Sequence, residues 1–125
     1  MNTATEKCFN FNARITQDAV RTMLIDALEQ GSYYWCEFVE STGPLGLPSG
    51  DFKAADIVLN GGEVILREQG EENNLTLNYA SVLIGLNVMA VKYPKVFARV
   101  LLEEFDAEIG DIFLQLCLLR EIKYG

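Results

Sequence analysis

Histidine is absent from this chain of 125 residues. That removes the Ser–His and Cys–His pairs on which most nucleophilic catalysis rests. The cysteines, Cys8, Cys36 and Cys117, are odd in number and far apart in sequence. A disulfide framework and a zinc site are therefore not expected. Cys36 and Cys117 sit in apolar runs and read as buried thiols. Long apolar stretches are also missing. Asn87 interrupts the run at 82–91 and Gln115 the run at 112–119, and neither approaches the ~20 residues of a membrane span. The first dozen residues lack a signal-peptide core. A soluble, cytoplasmic protein is expected. "GPLGLPSG" lacks the Lys and Ser/Thr of a phosphate loop.

Positive charge is scarce as well. Ten basic residues face eighteen acidic ones, for a formal net charge of −8. Phosphate backbones and anionic membranes repel such a surface, so direct binding to nucleic acid or membrane is not expected. A basic protein partner suits it better. Half of the composition is hydrophobic, enough for one packed domain across residues 1–125.

"FNFNARIT" (9–16) alternates as a half-buried strand does, and Thr16 and Asp18 suit a helix start. Val20, Met23, Leu24, Ala27 and Leu28 form one helical stripe that Gly31 can end. "SYYWCEFVE" (32–40) reads as a central strand, with Trp35 the aromatic to watch for exposure. Residues 41–50 form a Pro/Gly-rich loop carrying Leu45 and Leu47. Residues 55–68 read as a hairpin turning at Asn60-Gly61-Gly62, followed by a polar loop at 68–74. Three helices follow. The first starts at Thr76, with Tyr79, Val82, Leu83, Leu86, Met89 and Tyr93 inward, and Pro94 breaks it. The second buries Val96, Phe97, Val100 and Leu101. The third, capped by Asp106, buries Ile109, Ile112, Phe113, Leu116 and Leu119. The order β-α-β-β-β-α-α-α predicts an α+β fold: a small, mostly antiparallel sheet followed by three C-terminal helices.

The densest feature is "EEFDAEIGD" (103–111), with Glu103, Glu104, Asp106, Glu108 and Asp111 and no base. Its spacing lacks the ligand set of a calcium loop, so no metal or other cofactor is expected. Asp106 and Glu108 suit a helix start, but Glu103 and Glu104 close a helix, where the dipole disfavours them. These five residues are the predicted partner-binding surface, with Glu71 and Glu72 secondary. No motif marks a catalytic residue, and a non-enzymatic role is expected.

Residues 75–125 resemble a family of small uncharacterised proteins of tailed bacteriophages and mobile elements. The resemblance rests on Lys92-Tyr93-Pro94, Asp106-Ala107, Gly110-Asp111, Leu114-Gln115, Glu121 and the closing Tyr124-Gly125. It implies a host bacterial cytoplasm. It also implies a basic host protein as partner, with a nucleic-acid-binding defence complex as the concrete version and carboxylates imitating phosphates. The competing expectations are a self-assembling homo-oligomer with an apolar interface, formed by the face of Trp35, by Leu45 and Leu47, or by the C-terminal helix, and a small-molecule binder with an aromatic pocket.

Overall fold

The computed structural model describes residues 12–44 and 53–125. Helix α1 (Gln17–Asp26) begins where Thr16 Oγ1 accepts from the Ala19 amide at 3.1 Å. It buries Ala19, Val20, Met23 and Leu24, then runs into a π-helical turn, Ala27–Gly31. Residues 12–16 form no strand, and residues 9–11 of the expected strand lie outside the described residues, as do Leu45 and Leu47.

Strands β1 (Cys36–Thr42), β2 (Glu63–Glu68) and β3 (Asn74–Leu77) make an antiparallel sheet in the order β1-β2-β3. β1 is thus an outer strand of this sheet rather than the central one the sequence predicts. It begins four residues late because Ser32–Trp35 form a turn, with the Trp35 and Cys36 amides both donating to the Ser32 carbonyl. Its register with β2 shifts between Phe38 and Glu40, a bulge at Val39.

The expected first hairpin is not there. Residues Ala54–Leu59 form a short helix, α2, that buries Ala55, Ile57 and Val58. Asn60 caps its end, and Gly61, at φ +92°, turns the chain out. Asn-Gly serves a helix C-terminus as readily as a hairpin turn, because both need a positive φ. Packing of one face then overrides the β-preference of Ile57 and Val58. The real hairpin is β2–β3, joined through the polar segment 69–73.

The three C-terminal helices are α3 (Tyr79–Lys92), α4 (Pro94–Leu101) and α5 (Ala107–Leu118). Asn78 and Ser81 form a reciprocal capping box at the start of α3. Pro94 begins α4 after a bend of 116°. No single described helix is long and apolar enough to cross a membrane. The buried face of α3 is Ser81, Val82, Gly85 and Met89, which leaves Tyr79 and Leu83 half in solvent. Gly85 sets this rotation: a Cβ there would lie 2.5 Å from Cys117 Sγ and 3.0 Å from the Cys117 backbone. In α4, Val100 is buried but Leu101 is exposed.

Helix α5 is the centre of the fold. It packs on α1, the π turn, α3 and β3. Ile109, Phe113, Leu114, Leu116 and even Gln115 have no measurable exposure. Together with the sheet and the C-terminal helices, this is the α+β architecture expected.

Candidate functional site

Three features could carry function: the acidic corner between α4 and α5, the polar cluster beneath Trp35, and a groove beside β1.

At the corner, Asp106 caps α5, its Oδ1 accepting from the Ile109 amide at 2.8 Å. Glu103, Glu104, Asp106 and Glu108 are all exposed. Arg99 stands among the last three. Arg99 lies 3.6 Å from Glu104, 3.3 Å from Asp106 and 3.7 Å from Glu108. Exposed pairs of this kind hold weakly, ~0–1 kcal/mol each; a second guanidinium, Arg14, lines a common pocket with Glu103, so four exposed carboxylates face two arginines here. Asp26, at the end of α1, extends the patch. Its carboxyl is held above the usual range, first by burial and then by the charges of Asp106 and Glu29.

Glu103 is singular. It adopts φ 57°, one of two non-glycine residues at positive φ among those described. It follows the last turn of α4, with its amide donating to Val100 at 3.0 Å and the Glu104 amide donating to Arg99 at 2.9 Å. A side chain in this left-handed conformation costs about 1–2 kcal/mol, and an anion at a helix C-terminus is disfavoured as well. The two amide bonds account for the left-handed backbone as the cap of α4, but not for a negatively charged side chain at this end of the helix.

Asp111 does not join this surface, and the expectation that it would is corrected. It is 7% exposed. One turn into α5 from the exposed Glu108, it points inward and is the hub of a buried polar cluster. Oδ1 accepts from Trp35 Nε1 at 2.7 Å and from Ser32 Oγ at 2.8 Å. Oδ2 accepts from Tyr34 Oη at 2.6 Å and from Gln115 Nε2 at 3.2 Å. Burial, then the bond to Asp111, pushes the Tyr34 phenol up to about 12.

Gln115 extends the cluster to the chain's last residues. Its Oε1 accepts from the amides of Lys123 at 2.8 Å and Tyr124 at 2.9 Å, while Nε2 also reaches the Tyr124 carbonyl at 3.2 Å. The Tyr124 ring stacks on Trp35 at 5.2 Å, and its hydroxyl donates to Glu68, which Lys123 Nζ also binds at 2.8 Å. Trp35 is accordingly 2% exposed, so neither it nor the enclosed helix α5 offers an apolar interface. The acid in a sequence of like charges, the polar residue in an apolar helix and the closing Tyr-Gly all belong to this one latch.

Glu71 and Glu72 are exposed on the β2–β3 turn, a different element from the α4–α5 corner. Among the described residues no bond or ion pair links them to it. Nor do three acidic or cysteine side chains converge on a common point where a metal ion could sit. The two described thiols are both buried. Burial pushes Cys36 up to about 12 and Cys117 higher still, so neither is a reactive thiolate.

A groove of about 310 Å³ opens between the π turn and β1. Ala27, Leu28, Ala54, Leu66, Tyr33 and Phe38 are among the residues that line it. It forms between a helix face and a sheet edge that only the tertiary fold brings together.

Comparison of the chain with protein-family models, curated protein sequences and solved structures returns no match.

Proposed function

We propose that the chain is a non-enzymatic protein-binding module whose acidic corner engages a basic partner. Glu103 carries this reading. It holds a carboxylate in a left-handed backbone conformation at the end of a helix that disfavours negative charge, two costs that the amide bonds closing α4 offset only in part. Glu104, Asp106 and Glu108 follow it in the chain around Arg99, and Asp26 senses the charge of Asp106. Such a surface speeds association with a cationic groove and selects against anionic competitors. The resemblance to bacteriophage proteins supplies the setting: a host cytoplasm, and a nucleic-acid-binding defence protein whose phosphate-binding groove the carboxylates would occupy. Asp111 has no part in this, and Glu71 and Glu72 are no more than a secondary contact.

The test is capture from bacterial lysate by the immobilised wild-type protein and by a Glu103→Lys/Glu104→Lys variant. A partner retained at low salt, released at high salt and lost with the charge reversal is expected. Capture indifferent to both would sink the proposal.

A second reading is favoured by one observation. Among the described residues, five of the nine exposed large hydrophobics, Tyr79, Leu83, Val91, Leu101 and Leu102, fall on α3 and the end of α4. Residues 73–102 contain no acid and carry Lys92, Lys95 and Arg99. A helix apolar on all sides is normally covered on all sides, so the exposed apolar residues of α3 suit self-association. Light scattering over a concentration series, with Leu83→Glu as the disrupting variant, decides it. A strict monomer at high concentration removes this reading.

A further inference from the structure

We infer that two copies of the chain pair through α3 about a twofold axis at Asn87, where the side-chain amide of each copy bonds to that of the other. The inference rests on the second, self-associating reading above and gives it a centre.

Helix α3 turns an almost wholly apolar face to solvent. At about 100° per residue, Tyr79, Leu83, Asn87 and Val91 advance by only ~40° at each step, so they make one stripe, with Ala80 and Ile84 beside it. Tyr79 is 54% exposed, Leu83 50% and Val91 79%, and Ala80 and Asn87 are exposed as well. The opposite face, where Gly85 lies against Cys117, is held by α5, so the helix cannot roll to bury the stripe. Apart from the Tyr79 hydroxyl at one edge, Asn87 is the polar group of this face, and it lies at the middle of the arc.

The chemistry of the face names its occupant. Residues 73–91 carry no charged side chain, in a chain of net charge −8. Two copies repel wherever their acidic surfaces meet, and α3 is where they approach without that repulsion. A charged partner of either sign finds nothing here to pair with. Asn87 asks for something narrower. Its Nδ2 donates one bond back to the Leu83 carbonyl at 3.0 Å, while its second N–H and its Oδ1 have no partner among the described residues. A purely apolar cover would strand both groups. A second copy brings the matching donor and acceptor, since an amide is self-complementary, as a twofold contact must be. Where the two α3 helices cross at Asn87, Leu83 and Val91 on either side close round the paired amides. A single asparagine within an apolar helix seam sets register in the same way. One helix face falls short of the ~800 Å² that a copy gives to a standard interface, so the pair is weak and depends on concentration.

The test is sedimentation of the full chain at neutral pH over a concentration series into the millimolar range, with Asn87→Asp and Asn87→Lys as variants at this exposed position. Wild type is expected to dimerise. Each variant alone should associate at least about tenfold more weakly, because like charges meet on the axis. Their equimolar mixture should recover the dimer, since aspartate then faces lysine. Such recovery requires residue 87 of one copy to sit against residue 87 of the other, and general damage to the surface does not imitate it. Dimers that survive both single charges, or a mixture no better than its components, overturn the amide pairing; loss of those dimers with Leu83→Glu still leaves self-association through α3 standing. A wild type that stays monomeric throughout takes down this inference together with the reading it rests on, and leaves the face to a partner of another kind.

Discussion

Trp35 Nε1 donates to Asp111 Oδ1 at 2.7 Å, joining the turn before β1 to the first turns of α5, 76 residues apart in the chain. Ser32, Tyr34 and Gln115 complete the carboxylate's shell with neutral donors. All four bonds run towards the acid, and hydrogen bonds to a charged acceptor are worth about 1.5–3 kcal/mol each before coupling. Asp111→Asn keeps the shape but turns an NH₂ group towards two donors. Loss of about 2–4 kcal/mol is expected, since buried donors are left facing a donor. Urea unfolding followed by Trp35 fluorescence measures it. If Asp111 were a surface contact residue, the same change would leave stability untouched.

The latch around Glu68 gives a pH dependence of definite sign. The bonds from Lys123, then from Tyr124, hold the Glu68 carboxyl below its ordinary value of 4.5. A depressed carboxylate contributes stability that is present above the unfolded value and lost as pH falls through the folded one. Attachment of the C-terminal residues should therefore persist at pH 6 and fail progressively below about pH 4.5. The amides of Lys123 and Tyr124, bound to Gln115, are the reporters. Their hydrogen-exchange protection should drop in that window, and Glu68→Gln should remove most of the pH dependence without unfolding the core. Protection that stays flat down to pH 3 would remove Glu68 from this role.

What the sequence made legible follows from how local each signal is. Thr16 and Asp106 cap helices through bonds spanning three residues, so their positions could be read directly. The same holds for the break at Pro94. Ala54–Leu59 reads as a strand in sequence because its apolar β-branched residues and Asn-Gly ending satisfy two local rules at once, and only burial against the rest of the fold chooses between them. The rotation of α3 was hidden because a hydrophobic stripe does not count glycine as a core residue. The acidic run illustrates both outcomes. Asp106 and Glu108 lie where a helix start puts them, exposed, while Asp111, one turn further on, faces donors from residues 32–35. Nothing within the run distinguishes it from its neighbours.

Gly85 should tolerate no side chain, because α3 and α5 meet there backbone to backbone. The Cβ of Gly85→Ala would sit 3.0 Å from the Cys117 backbone, which cannot rotate aside as a side chain would. A loss of about 1–3 kcal/mol is expected, the usual cost of overpacking, with Gly85→Val worse. Calorimetric melting measures it. The comparison variant is Gly70→Ala: at φ +83° it has open space within 4 Å and meets only backbone strain. Equal melting temperatures for Gly85→Ala and wild type would mean the helices are further apart than described.

Glu103 offers a test in which stability and function move in opposite directions. At φ 57° it occupies a conformation that glycine adopts freely, and it places a negative charge at the negative end of α4. Glu103→Gly relieves both, so a gain of roughly 0.5–1.5 kcal/mol in unfolding free energy is expected. Glu103→Gln removes only the charge and should recover a smaller part, a few tenths of a kcal/mol. If the carboxylate is there for a basic partner, both variants should bind that partner more weakly despite being more stable, the usual mark of a residue kept for function. Chemical denaturation gives the first quantity, and salt-dependent capture the second. A variant that is more stable and binds equally well would show that the strain at this corner serves no partner, and the acidic face would lose its strongest support.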